Sequence, residues 1–347
     1  MQKRIQRYYK DKEQKKEIIR RLYRADIKHY VREYGWLEAA KKRNDTLKTK
    51  RELRYFTLCS LDAIDIKTFY QAGIINRDAT GFPSTFFCEW DKELTEEIAR
   101  VVGSNYWSGP FEDFISKLFS NDDRLLEKLK AQKLFPFDIY NLDFTGSCIP
   151  GDEPPYSKTL EALTRLVDLQ HKEEVNFDMF LTFKATRHAD NKDAIEQLRS
   201  LIVDNCNKYP EAKANLESNY SALDALLSSH YENFIALAIP KFLSGIAKDY
   251  RYKLNISSSF KYKRHNKDGV YYITNIILSF EYVHDKRSQK ASKLNDPSIT
   301  DIIQGIYYPQ SILAIFNHDV IDVDRKLKET PILRADLDRK VKEILAL

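Results

Sequence analysis

Three observations predict an α/β fold, with a mostly parallel sheet, a late antiparallel hairpin and helical additions at both ends. From residue 54 to 186, short apolar runs alternate with amphipathic stretches. The short runs are near-continuously apolar, the pattern of strands buried on both faces. Two long runs, Tyr252 to Lys263 and Val270 to His284, flank His265-Asn266-Lys267-Asp268-Gly269, which reads as strands joined by an Asp-Gly turn.

Taken in order, the first 52 residues read as a basic helical arm. Leu22, Tyr23, Ile27, Tyr30, Val31, Tyr34, Leu37 and Ala40 recur at three- and four-residue steps, giving an amphipathic helix or helix pair over roughly 2 to 48. Residues 53 to 290 form the expected core. Its strands are Tyr55 to Cys59, Ser84 to Cys88, Phe137 to Phe144 and Phe177 to Phe183. Its helices are Ile64 to Ala72, Lys92 to Val102, Phe111 to Phe119 with Arg124 to Gln132, and Ser157 to Gln170. A helical insertion follows at about 191 to 249, and a helical segment over 291 to 347 closes the chain.

Composition bounds the function. With 43% apolar and 31% charged residues over 347 positions, the chain is long enough and apolar enough to bury a sizeable core. No run approaches the roughly 18 apolar residues of a membrane-spanning helix, and no apolar stretch of a secretory signal follows the basic N-terminus; a cytoplasmic protein without a membrane partner is expected. Cys59, Cys88, Cys148 and Cys206 lie too far apart for a zinc or redox motif, and the histidines show no ligand spacing, so reduced thiols and no metal are expected.

The net charge of +5 conceals an asymmetry. Residues 1–57 carry 19 Lys and Arg against 8 Asp and Glu, whereas the remainder of the chain is slightly acidic. A basic arm points to phosphate contact, hence to a nucleic-acid partner; a solvated helix face or a docking site for a protein partner is the alternative. Tyr8, Tyr9, Tyr23, Tyr30, Tyr34 and Trp36 could stack bases, although such spacing is more often packing.

In an open α/β sheet ligands bind beyond the carboxyl ends of the strands. The first strand runs into Cys59-Ser60-Leu61-Asp62-Ala63-Ile64-Asp65, which contains no glycine, so a dinucleotide fingerprint is absent there; no P-loop occurs anywhere. The second ends in Glu89-Trp90-Asp91. Asp91 suits the N-cap of the following helix, which leaves Glu89 to accept bonds from the two hydroxyls of a ribose. Glu112 and Asp113 open a helix after Gly109-Pro110, where they either contact a ligand amine or oppose the helix dipole. The run Asn141-Leu142-Asp143-Phe144-Thr145-Gly146-Ser147 brings Asn141 and Asp143 to a strand end, where a carboxylate can position or deprotonate a substrate amine. His188 and Arg187 follow the next strand as further candidates.

This order of an acid after the second strand, an acidic loop, an N-x-D-F-x-G strand end and a late hairpin resembles the class I, Rossmann-like S-adenosylmethionine-dependent methyltransferases. Asn141 to Ser147 is similar to the D-P-F-G-S and D-P-P-[YF] motifs of that family, without the proline. The resemblance spans about residues 54 to 284. It implies S-adenosylmethionine as cofactor, held by Cys59, Ser60, Asp65, Glu89, Trp90, Glu112 and Asp113, with Glu89 on the ribose and Asp113 or Glu112 at the adenine. Asn141, Asp143 and Phe144 would be the catalytic group, lining the methyl-transfer site. It also implies a last strand inserted antiparallel. The expected acceptor is a nucleic acid held by the arm; the alternative is a catalytically silent module that binds a nucleotide or nucleic acid, or docks a protein.

Overall fold

A computed structural model of the chain describes residues 14, 16, 17, 20, 24–47, 51–103, 105–120, 124–151, 157–220, 222–266, 269–284 and 299–347. Tyr8, Tyr9, Leu22 and Tyr23 of the expected arm, and Lys267 and Asp268 of the expected turn, lie outside these residues.

The fold is α/β, as the alternation of runs predicts. Eight strands lie among the described residues: β1 (Tyr55–Thr57), β2 (Thr85–Glu89), β3 (Tyr106–Ser108), β4 (Ile139–Asp143), β5 (Phe177–Ala185), β6 (Tyr252–Asn266), β7 (Gly269–Tyr282) and β8 (Val320–Asp322). β3 and β8 were not legible as apolar runs. Each has three residues, and β3 leaves both of its ends exposed. The chain forms two compact units: the described residues up to Phe111 together with Val323–Leu347, and Glu112–Asp322.

In the first unit β2 pairs in parallel with both β1 and β3. All three β1 residues are buried. Phe56 stacks on Phe86 across the β1–β2 pair, and Tyr55 meets Phe69 of helix Ile64–Gln71 with ring centroids 4.9 Å apart. β1 ends two residues earlier than its apolar run suggests, because the chain turns from Leu58 into that helix.

The arm is part of this unit. Helix Asp26–Val31 continues through a π-helical stretch, Arg32–Leu37, into helix Glu38–Thr46. Of its stripe, Tyr30, Val31, Trp36, Leu37 and Ala40 are buried whereas Tyr34 is exposed, and Arg32 is buried with its guanidinium 5.8 Å from the Trp36 ring. The C-terminal helix Pro331–Leu345 lies against it, with Arg334 on Asp26 and Lys340 Nζ 2.9 Å from Glu33 Oε2. Among the described residues of the arm, Lys28, Arg32 and Arg43 are buried. Arg24 makes a two-pronged pair with Asp62, at 2.7 and 2.9 Å, and Lys16 pairs with Glu97.

In the second unit β4 and β5 are parallel, β7 runs antiparallel between β5 and β6, and β8 is parallel to β6. β4 is wholly buried and β5 nearly so, as expected of strands covered on both faces. Phe177 of β5 stacks on Phe280 of β7 at 4.5 Å, one of a series of ring contacts with Tyr140, Tyr252 and Tyr282. Among the described residues the helical insertion is four helices, Lys192–Lys208, Pro210–Tyr220, Leu223–Ser229 and Tyr231–Asp249; the last is largely buried, Pro240 included.

His29 links packing to pH. It is wholly buried, and among the described residues neither ring nitrogen has a hydrogen-bond partner, although Nε2 lies 3.4 Å from Glu33 Oε1. Burial first, then Arg32 and Lys340, push its pKa down to about 3, against a small opposing pull from Asp336. The unfolded chain therefore binds a proton below about pH 6.5 that the folded chain refuses. This contribution is whole above pH 6.5 and is lost as pH falls towards 3. Lowering the pH from 7 to 5 should cost about 2 kcal/mol from this group. Urea unfolding at the two pH values measures it, and His29→Gln should flatten the dependence; an unchanged slope in the variant would refute the assignment.

Candidate functional site

The first unit contributes the ends of β1 and β2. After β1 the chain passes through Cys59 and Ser60, both buried, and closes a turn in which Ala63 N–H donates to Ser60 O at 2.9 Å. Ala63 takes a left-handed conformation, φ 48° and ψ 38°, immediately before helix Ile64–Gln71. A left-handed residue costs an alanine roughly 1 kcal/mol that a glycine avoids. The turn therefore has the backbone that glycine favours, built without one. No side chain caps the helix start, and Ser60 Oγ is buried with no hydrogen-bond partner among the described residues.

Of the other residues expected here, Asp65 is committed to the fold. Its Oδ2 accepts from Tyr55 Oη at 2.8 Å and Thr57 Oγ1 at 2.7 Å, fastening the helix to β1. The Cys59 thiol donates to Ser60 O, and burial, followed by the charge of Asp65, pushes its pKa well up, so it stays a neutral thiol. Asp91 caps helix Lys92–Val102, accepting from Glu93 N–H and Leu94 N–H, as the sequence suggests. Glu89 stands half-buried at the end of β2; Oε1 accepts from Asp91 N–H at 2.9 Å. Trp90 beside it is 69% exposed.

In the second unit Glu112 Oε1 accepts from Thr159 Oγ1 at 2.7 Å, tying helix Phe111–Ser120 to helix Lys158–Lys172, while Asp113 is exposed in the first turn. Both acids sit where they oppose the helix dipole. Asn141 and Asp143 are buried on one face of β4. The register places Asp143 beside Thr182 of β5 and Thr182 beside Asn275 of β7, whose amide donates to the Thr182 hydroxyl. A buried row of polar side chains thus crosses the sheet at the carboxyl end of β4. Phe144 N–H donates to Thr182 O at 2.9 Å, so the chain follows β5 for one residue beyond Asp143 before turning.

Sequence reasoning missed Asp190. It lies beyond the end of β5, where Asn191 N–H donates to Ile149 O and joins this loop to the one following β4. Asp190 Oδ2 accepts from Tyr231 Oη at 2.6 Å. Burial pushes its carboxyl up, opposed by the hydroxyls of Ser147 and Tyr231 and by His188. The available signal was an acid after a buried strand, but its partner, Tyr231, is 41 residues away in sequence. Arg187 and His188 beside it are exposed. A groove of about 590 Å³ also lies in this unit, lined by Leu160, Arg165, Leu198 and Phe242 among others; none of the candidate residues line it.

Among the described residues no group of three or more His, Cys, Asp or Glu could hold a metal ion, and no helix is long and apolar enough to cross a membrane.

The turn after β1 can be tested directly. Ala63→Gly should leave stability unchanged or raise it by up to about 1 kcal/mol, whereas Ala63→Val should lower it by more than that. Denaturant midpoints decide, and a loss of stability in the glycine variant would contradict the left-handed turn.

No curated protein and no solved structure matches the sequence. A family model described as PP_RS20740-like matches residues 26–347, which takes in both compact units. The chain therefore belongs to the PP_RS20740-like family.

Proposed function

We propose that the chain binds S-adenosylmethionine at the carboxyl ends of β1 and β2 and transfers its methyl group to a nitrogen or oxygen nucleophile. The observation that carries this reading is β7, inserted antiparallel between β5 and β6, as the resemblance to class I methyltransferases implies. Two local features support the fit of the cofactor. Ser60 Oγ is buried without a partner among the described residues, and a buried polar atom of that kind is stabilised by a bound polar group. The cap of helix Lys92–Val102 is supplied by Asp91, and Asp91 N–H in turn donates to Glu89 Oε1, which holds the Glu89 carboxylate at the end of β2.

In this reading Glu89 accepts from the two ribose hydroxyls, Ser60 meets the amino-acid part of the cofactor in place of a glycine turn, and Trp90 covers the nucleoside. The sulfonium supplies an already activated methyl group, so the remaining work is alignment of the acceptor for in-line attack. The resemblance assigns the acceptor to Asn141 and Asp143, which share one buried face of β4, and to Phe144, which follows them. Asp65 is better assigned to the β1–helix contact than to the cofactor, since both of its hydrogen bonds described above go to β1. The glycine-free turn favours a second reading, a silent module that binds the nucleoside without turnover.

Calorimetric titration with S-adenosylmethionine and with S-adenosylhomocysteine tests the proposal. Micromolar binding is expected, with Glu89→Ala reducing it at least a hundredfold in a folded protein. Asp143→Asn should remove turnover and leave cofactor affinity within about threefold. Binding with no turnover on any acceptor would favour the silent module; no binding of either compound would refute both.

A further inference from the structure

The β6–β7 hairpin outruns its neighbours. β5 ends at Ala185, opposite Tyr272, and β8 pairs only with Ser259 to Lys261, so residues 264–266 and 269–271 continue as a two-stranded ribbon. At 3.4 Å per residue it reaches about 10 Å past the end of β5. The sequence Lys261 to Tyr272 has four Lys or Arg, one histidine and a single acid.

Both faces of the ribbon combine cations with phenol rings. On one, Lys261 and Lys263 flank Tyr272, with their ammonium groups 5.7 and 5.5 Å from its centroid. On the other, Lys184 from β5 stands 4.4 Å over Tyr271, and Arg264 lies 5.3 Å from the Tyr262 ring. Lys263 is exposed, and Tyr271 and Tyr272 are half-exposed. Lys261 is anchored by Glu232 and Asn233; of the other cations, Lys263 is exposed and Lys184 and Arg264 are half-exposed. A charged edge that only prevents aggregation needs lysines but no rings. Alternating cations and aromatics are the arrangement that holds a single nucleic-acid strand, phosphates on the cations and bases on the rings. The described part of the arm, with Lys28, Arg32 and Arg43 buried and Arg24 on Asp62, is the poorer candidate for that contact.

We infer that the β6–β7 ribbon is a binding surface for single-stranded nucleic acid, with Lys184, Lys263 and Arg264 on phosphates and Tyr271 and Tyr272 beneath bases. The inference concerns binding alone and does not rest on methyl transfer.

Fluorescence anisotropy with a labelled 20-nucleotide oligothymidylate, without S-adenosylmethionine, tests it in the full chain. Three phosphate contacts predict roughly a twentyfold loss of affinity between 50 and 200 mM salt. Lys263→Ser with Arg264→Ser should weaken binding at least tenfold and flatten the salt dependence, while Tyr271→Ser weakens it about tenfold and Tyr271→Phe does not. Lys41→Ser with Lys42→Ser, on the exposed part of the arm, should have no effect. Failure of the unaltered protein to bind would overturn the inference, as would loss only in the arm variant, tighter binding of a 20-base-pair duplex, or preference for phosphatidylserine vesicles. Because no cofactor is present, either result leaves the calorimetric test of S-adenosylmethionine standing on its own.

Discussion

The second unit depends on one pairing constraint, the burial of β7 between β5 and β6. A strand buried on both faces must find a ladder on each edge, since an unpaired N–H or carbonyl in that setting costs more than the hydrogen bond it forgoes. β7 meets this by running antiparallel to both neighbours, with its central residues Ile273 to Leu278 buried. The consequences are local and specific. The Phe177–Phe280 stack fixes register at one end, and the Thr182–Asn275 contact fixes it near the other. A slip of one residue would turn Asn275 to the opposite face and leave Thr182 without it. The same pairing sets Asp143 in its polar row and leaves residues 264–266 and 269–271 beyond the end of β5.

In the first unit the equivalent role falls to Asp65. Its carboxylate receives hydroxyls from Tyr55 and Thr57, both on β1, so the helix that follows the turn is held against the strand from which it came. A carboxylate used in this way spares the turn a glycine-rich approach of backbone to strand, and Ala63 accepts the left-handed conformation instead. Nearby, Asp62 receives Arg24, so the N-terminal arm is attached beside the same turn.

The parts legible in the sequence were those set by periodicity and by short-range chemistry. Continuous apolar runs located β1, β2, β4 and β5, and the alternating Tyr, Ile and Phe positions marked the hairpin. The cap at Asp91 was readable because the N–H groups that donate to it lie two and three residues away. β3 and β8 were not, since three residues carry no period and their assignment comes from the neighbouring strand. The arm shows the limit most clearly: its charge suggested a free basic surface, but Arg24 is paired with Asp62, 38 residues away and outside the local pattern. Asp190 escaped for a related reason, its surroundings being assembled from segments distant in sequence. Glu89 ends β2 and Asp143 ends β4, whereas Asp65 and Glu112 lie in helices, bonded to β1 and to Thr159, partners that the local sequence does not reveal.

The central claim is that the β1 and β2 ends hold a nucleoside cofactor. Hydrogen–deuterium exchange of the full chain, with and without saturating S-adenosylhomocysteine, addresses it most directly because it reports where a ligand acts as well as whether it binds. The account predicts slowed exchange confined mainly to the turn Leu58 to Ala63 and to Phe87 to Asp91. Unchanged exchange in both segments, or protection elsewhere alone, would contradict it.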